Sequence, residues 1–240
     1  MMKHVLLKTI KYTPDLTTVT CGPELLPVEI YNLRKLSHPN LQNLLRYTFR
    51  SQTWTLALEW SETWTTLEQW LKHHILDDLE VRDLMGQVTS VVSYCLDMGV
   101  DHRDISTSSL LYDPAQGCVK LAMFQHSQVY SILPHTLRSS SPSHTITPPE
   151  LYRVGTCTAE GAAVWSIGCL LFEMITGEKP IRSYSDAAKN NVKWEALSPA
   201  TTDPQLYDTI LQCLNPHPGS RVNLVDLRDQ SVLASHESFV

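Results

Sequence analysis

His102, Arg103 and Asp104 stand side by side, one carboxylate next to two basic groups. They lie in the stretch VDHRDISTSSLLY, residues 100–112. It follows a run of helical periodicity and ends in the apolar triplet Leu110-Leu111-Tyr112, which suits a short strand. Two further charges stand out. Lys8 closes the short apolar run Val5-Leu6-Leu7, which reads as a strand ending at the surface. Glu29 falls in the first turn of a helical pattern, where a solvated acid near the N-terminus is the plain alternative to a partnered one. Metal and thiol chemistry find no pattern to rest on. The six cysteines (Cys21, Cys95, Cys118, Cys157, Cys169 and Cys213) are widely spread, and no CxxC or other metal-ligand pair occurs. Reduced thiols in a cytoplasmic or nuclear, intracellular setting are therefore expected.

The elements that must position these groups are mixed α and β. A chain of 240 residues with 42% hydrophobic and 18% charged side chains can bury a sizeable core, as one large domain or two small lobes. A net charge of −6 speaks against nucleic acid or an acidic membrane surface as partner. The opening MMKHVLLKTI has too short an apolar core for a signal peptide. The most apolar segment, 162–176, is interrupted by Glu173 and too short to span a bilayer. No internal repeat is visible. Residues 12–27, with three prolines and several threonines, read as a connection. Ile30, Leu33 and Leu36 repeat at helical spacing until Ser37-His38-Pro39-Asn40 stops them. Candidate strands follow at 44–49 and 54–58, then helices at 66–74 and 79–97. The second of these carries an apolar face of Leu84, Val88, Val91, Val92, Cys95 and Leu96. A turn over 113–117 separates two strands. A helix covers 162–173, and residues 203–233 read as two more. Trp54, Trp60, Trp64 and Trp70 are four of the six tryptophans and fall within seventeen residues. Two are expected in the core; the others stay open between core and partner surface.

In this order the marks resemble a degenerate Ser/Thr domain of the protein kinase superfamily: Lys8, Glu29, HPN at 38–40, HRD at 102–104, the phenylalanine of MFQ at 123–125, PPE at 148–150, VWSIG at 164–168, and Arg221. The large lobe is faintly similar to Pim kinases, which share AAVWS and PPE. The resemblance implies an α+β bilobal kinase-like fold. Residues 1–60 would form a truncated small lobe through the hinge, and 61–240 a mainly helical large lobe. The first two strands and the glycine-rich phosphate loop have no place in the chain, which has nine glycines and no GxGxxG.

The resemblance also assigns roles. Asp104 is a vestigial proton acceptor, flanked by His102 and Arg103. Lys8 would contact nucleotide phosphates and pair with Glu29, nine residues before His38. Leu58 would be the gatekeeper, and Glu59 and Trp60 would offer the backbone that binds adenine. Phe124, His102, Leu33 and Leu44 could fill an apolar spine joining the lobes. Glu150 and Arg221 form a structural ion pair. Residues 125–148 would be the activation segment, whose Ser139–Ser143 run is either a phosphorylated partner for Arg103 or simply a polar loop.

The departures fall on the phosphate and metal chemistry. Ser109 and Met123 stand where an asparagine and an aspartate bind magnesium, and a thioether is a poor ligand for a hard cation. Ser106 replaces the phosphate-contacting lysine, Leu6 the alanine under adenine, Gln125 the glycine of the flexible loop, and Ala163 the aspartate that braces the catalytic loop. The expectation is a pseudokinase acting as scaffold or allosteric regulator of a protein partner, such as another kinase. It would need no cofactor, with ATP left as a ligand lacking normal magnesium coordination. Oligomerisation through the open small-lobe edge is a further expectation. The enzyme alternative is a weak or atypical Ser/Thr kinase using Asp104 as base. A third reading is an incomplete product with no independent role.

Overall fold

Strict alternation marks the middle strand of the first sheet. In the computed structural model, which describes residues 4–129, 147–200 and 202–229, strand Val5–Lys11 (β1) runs antiparallel to a later strand, Thr53–Glu59. That later strand buries Trp54, Leu56 and Leu58 on one face. Between them, Thr18–Cys21 (β2) and Glu24–Pro27 (β3) form an antiparallel hairpin. This corrects the reading of 12–27 as a bare connection. Its turn is Gly22-Pro23, with Gly22 at φ 59°, a conformation open to glycine at no steric cost. Of the three prolines that suggested a linker, Pro23 sits in this turn and Pro27 at the strand's end, while Pro14 lies in a separate turn before β2.

Helix Val28–Lys35 (α1) follows at once and buries Val28, Glu29, Ile30, Asn32 and Leu33. Leu44–Arg50 (β4) then pairs with Thr53–Glu59 (β5), giving a sheet in the order β1-β5-β4. Among the described residues, β1 has no strand on its other side, and Val5 and Leu7 are exposed there.

A short strand Thr65–Thr66 (β6) leads into Leu67–Leu71 (α2), which is shorter than the 66–74 expected. The long helix Asp78–Asp97 (α3) starts on a full capping box. Asp77 Oδ1 accepts from the amides of Leu79 and Glu80, and Glu80 Oε2 accepts from the amide of Asp77. Val100–Asp101 (β7) ends this unit. Leu110–Asp113 (β8) and Cys118–Leu121 (β9) pair antiparallel, with β6 on the other side of β8. Gln128–Val129 (β10) pairs with β7. The run Ser139–Ser143 lies outside the described residues.

After Pro149–Val154 (α4) comes Ala159–Thr176 (α5), opened by Thr158, whose hydroxyl accepts from the Gly161 amide. By length and composition α5 could cross a membrane, but two-thirds of it is buried among its neighbours. It is apolar nearly all round because it is the core helix. Gly168 shows how tightly it packs: a Cβ there would stand 2.6 Å from Cys213 Cβ and 2.9 Å from Leu214 Cδ2. Tyr184–Lys189 (α6), Pro204–Cys213 (α7) and Leu224–Asp229 (α8) complete the helical part. One hydrophobic core runs from Leu26 and Leu56 in the sheet to Trp165, Phe172 and Leu227 among the helices.

Candidate functional site

The cleft between sheet and helices is built from both sides. On the sheet side, Lys8 Nζ lies 2.8 Å from Glu29 Oε1, so β1 and the first turn of α1 are joined by an ion pair. Glu29 is almost wholly buried, and its other oxygen, Oε2, has no partner among the described residues. Leu6 is two residues before Lys8 and therefore on the same face of β1. Leu58, the expected gatekeeper, is buried opposite it in the sheet.

On the helical side, the loop after β7 carries His102, Arg103 and Asp104. His102 is buried and makes two hydrogen bonds of fixed sense. Its Nε2–H donates to the Ala122 carbonyl at 2.7 Å, and its Nδ1 accepts from the Asp104 amide at 3.3 Å. Those partners select the neutral ring, and burial pushes its pKa down to about 4. Its face meets Phe124 edge-on, with centroids 4.6 Å apart. Phe124 is fully enclosed, Leu33 is buried and Leu44 packs against the same core, so this apolar column links the sheet to the catalytic-type loop.

Asp104 is half-buried. Desolvation raises its pKa, opposed by the charge of His126, a hydrogen bond from Ser106 and the charge of Lys179. Ser106 Oγ approaches Asp104 Oδ1 at 3.4 Å. The backbone around it is special, since Arg103 and Met123 both have φ 65° without being glycine. Left-handed non-glycine residues cost of order 1–3 kcal/mol and cluster at functional sites. Two such residues therefore frame the cleft side of this loop, at Arg103 and Met123.

The metal positions fail on chemistry. Ser109 is buried, and its hydroxyl is consumed locally: it donates to the Ser106 carbonyl at 3.0 Å and accepts from the Ser106 amide at 3.1 Å. Met123 presents a half-exposed thioether. Together with Asp104 these give one carboxylate where magnesium wants a set of oxygens, so the residues do not fit that ion. Gln125 does more than replace a flexible glycine. Its side-chain oxygen accepts from Lys8 Nζ at 2.9 Å.

The hinge corrects an expectation. Glu59 does not offer a free backbone for adenine. Its carbonyl accepts from Gln42 Nε2 at 3.0 Å, and its amide donates to the Asn43 carbonyl at 2.9 Å. Its carboxylate pairs with Lys120 at 3.2 Å. Trp60 packs edge-on against Trp64, with centroids 6.2 Å apart, in a cavity of about 770 Å³ that Lys120 and Asp113 also line. Of the four clustered tryptophans only Trp54 is buried; Trp60, Trp64 and Trp70 are half-buried.

The structural pair is complete. Arg221 meets Glu150 in two parallel bonds, 2.8 Å from Nη1 to Oε1 and 3.0 Å from Nη2 to Oε2. It also donates to the carbonyls of Gly161 and Asn215, and its guanidinium lies over the Trp165 ring at 5.2 Å. Sequence reasoning missed Asp101. It is buried, and burial raises its pKa to about 7, opposed by the Arg103 charge and a hydrogen bond from the Arg103 amide. Ala163, where a bracing aspartate would stand, is buried and apolar. For Asp101 the one signal in sequence was an acid directly after the apolar Val100, next to the charged HRD triplet.

A lysine–glutamate pair, a histidine–phenylalanine column and a loop aspartate, with a buried glutamate–arginine brace in the helical part, make up a protein kinase-like set of residues. The protein kinase domain family matches residues 2–233, and the chain belongs to that family. It is 28% identical to Aurora kinase B of Mus musculus over 196 residues, 80% of this chain and 55% of that protein. It is also 28% identical to CBL-interacting protein kinase 21 of Oryza sativa subsp. japonica over 209 residues, 83% of this chain and 39% of that one. Mitogen-activated protein kinase kinase kinase 2 of Arabidopsis thaliana is 27% identical over 207 residues, 83% of this chain and 31% of its own length. The chain thus spans about half the length, or less, of these relatives.

Proposed function

We propose that this protein kinase domain is catalytically silent and acts as an intracellular scaffold or allosteric regulator of a protein partner, such as another kinase. The observation that carries the reading is the state of the two metal positions: a serine whose hydroxyl is closed into its own loop, and a thioether. Phosphoryl transfer depends on metal ions that neutralise charge. That stabilisation amounts to several kcal/mol, and each loss of about 1.4 kcal/mol slows the reaction about tenfold. The exposed apolar edge of β1 and the half-buried Trp60 and Trp64 supply surfaces for protein contact, by strand pairing or aromatic anchoring.

The second reading, a weak Ser/Thr kinase with Asp104 as base, is favoured by the Lys8–Glu29 pair and by the raised pKa of Asp104. Radiolabel transfer to a generic protein substrate, with magnesium and with manganese, separates the two. The silent reading expects none. Transfer that disappears in Asp104→Asn would replace it with the enzyme.

A further inference from the structure

Lys8 ends in an ammonium with three donor protons. Two of its acceptors are the chain's own: Glu29 Oε1 at 2.8 Å and Gln125 Oε1 at 2.9 Å. Gln125 reaches it from 117 residues away, across the cleft. The root of that side chain is fixed. It sits in the 3-10 turn Phe124–His126, between the fully buried Phe124 and Ser127. The Ser127 hydroxyl donates to the Phe124 carbonyl and accepts from Asn32 of α1 at 2.8 Å. A cavity of about 560 Å³ opens beside the contact, lined by Lys8, Glu29, Met123 and Gln125 among others. A glycine in this place would leave the ammonium turned to that space with Glu29 as its single acceptor of the two.

We infer that Gln125 is a positioning residue whose amide oxygen is the resident partner of Lys8, standing where a phosphate oxygen would have to come. The Lys8–Glu29 pair is then held closed by the chain itself, with no nucleotide. A phosphate would make the stronger, charge-assisted bond. The amide, however, is tethered, and a tethered competitor acts at an effective concentration in the millimolar range. The inference rests on the silent reading for its biological sense, but it is read by a different measurement.

That measurement is limited acylation of amines by a small N-hydroxysuccinimide acetate on the whole chain, with Lys8 quantified by mass spectrometry against Lys11 on the same strand. Wild type, Gln125→Ala and Gln125→Glu are compared, each with and without ATP in EDTA. Freeing the ammonium in Gln125→Ala should raise the Lys8/Lys11 ratio about fivefold, the equivalent of one ordinary hydrogen bond. Gln125→Glu, which keeps an acceptor in place and adds a charge, should label no faster than wild type; a merely structural role for Gln125 would not give this rescue. An unchanged ratio in Gln125→Ala overturns the inference. So does protection of Lys8 by metal-free ATP in the wild type. Phosphoryl transfer by the wild type would remove the silent reading and leave the labelling ratio to decide this one.

Discussion

Two ion pairs, Glu150–Arg221 and Lys8–Glu29, join distant parts of the chain, and they are built differently. The first is buried on both sides, bidentate, and tied to two further carbonyls and an indole face. The second joins a buried glutamate to a lysine that is 30% exposed and shares its ammonium with Gln125. The first closes the helical part on itself. The second borders an open cavity. The difference separates a pair enclosed in the core from one left partly open to solvent. In the first, every guanidinium N–H of Arg221 finds an acceptor; in the second, Glu29 Oε2 is left without a partner among the described residues.

Four measurements test how differently the two regions are built. Arg221→Met should have the largest effect. It leaves Glu150 buried without its cation, and breaking such a pair costs about 3–5 kcal/mol. Urea unfolding followed by circular dichroism reads it, and a loss below 1 kcal/mol would show the brace to be ornamental. Lys8→Met should cost less, about 1–2 kcal/mol, because the partly exposed lysine lies between the surface and buried cases. Equal losses in the two variants would erase the distinction drawn here.

Asp101 and His102 give a pH test within the catalytic-type loop. The folded-state pKa of His102 is depressed from 6.5 to about 4, so its contribution is full above 6.5 and lost as pH falls towards 4. The folded-state pKa of Asp101 is raised from 3.8 to about 7, so its contribution is full below 3.8 and lost as pH rises towards 7. Between these limits the two slopes oppose each other. Asp101→Asn removes one of them and should leave stability rising with pH from about 4 to 6.5, by at most about 1.4 kcal/mol per unit. Unfolding curves across that range that stay parallel to wild type would contradict it.

The smallest effect concerns backbone alone. Met123→Asn should stabilise by roughly 0.5 kcal/mol, since asparagine visits the left-handed region more readily than methionine. A lowered melting temperature would mean that the Met123 side chain contributes contacts that outweigh its strain.

Much of this was legible in residue order. The spacing of Lys8, Glu29 and HPN, the HRD and MFQ triplets, and the distant Glu150 and Arg221 each name positions that the fold brings together, because helix and strand periods convert separation into facing. The helix expected at 79–97 is α3, which starts one residue earlier on the Asp77–Glu80 capping box. The β2–β3 hairpin was not legible, because Pro14, Pro23 and Pro27 read as a linker until the turn geometry assigns them. The helix expected at 66–74 ends at Leu71 as the chain turns away towards α3. The engagement of the Glu59 backbone was not legible because Gln42, seventeen residues before it, gives no sign in sequence of donating to the Glu59 carbonyl.

Residue order alone carried the family's succession of marks and the serine and methionine at positions 109 and 123, since both are matters of residue identity and spacing. Tertiary structure alone decided what the remaining groups do with one another: that Ser109 spends its hydroxyl on its own loop, that Asp101 is buried beside Arg103, and that Gln125 crosses the cleft to Lys8. Those are hydrogen bonds and desolvation, set by which surfaces meet when the core closes, and no local pattern encodes them.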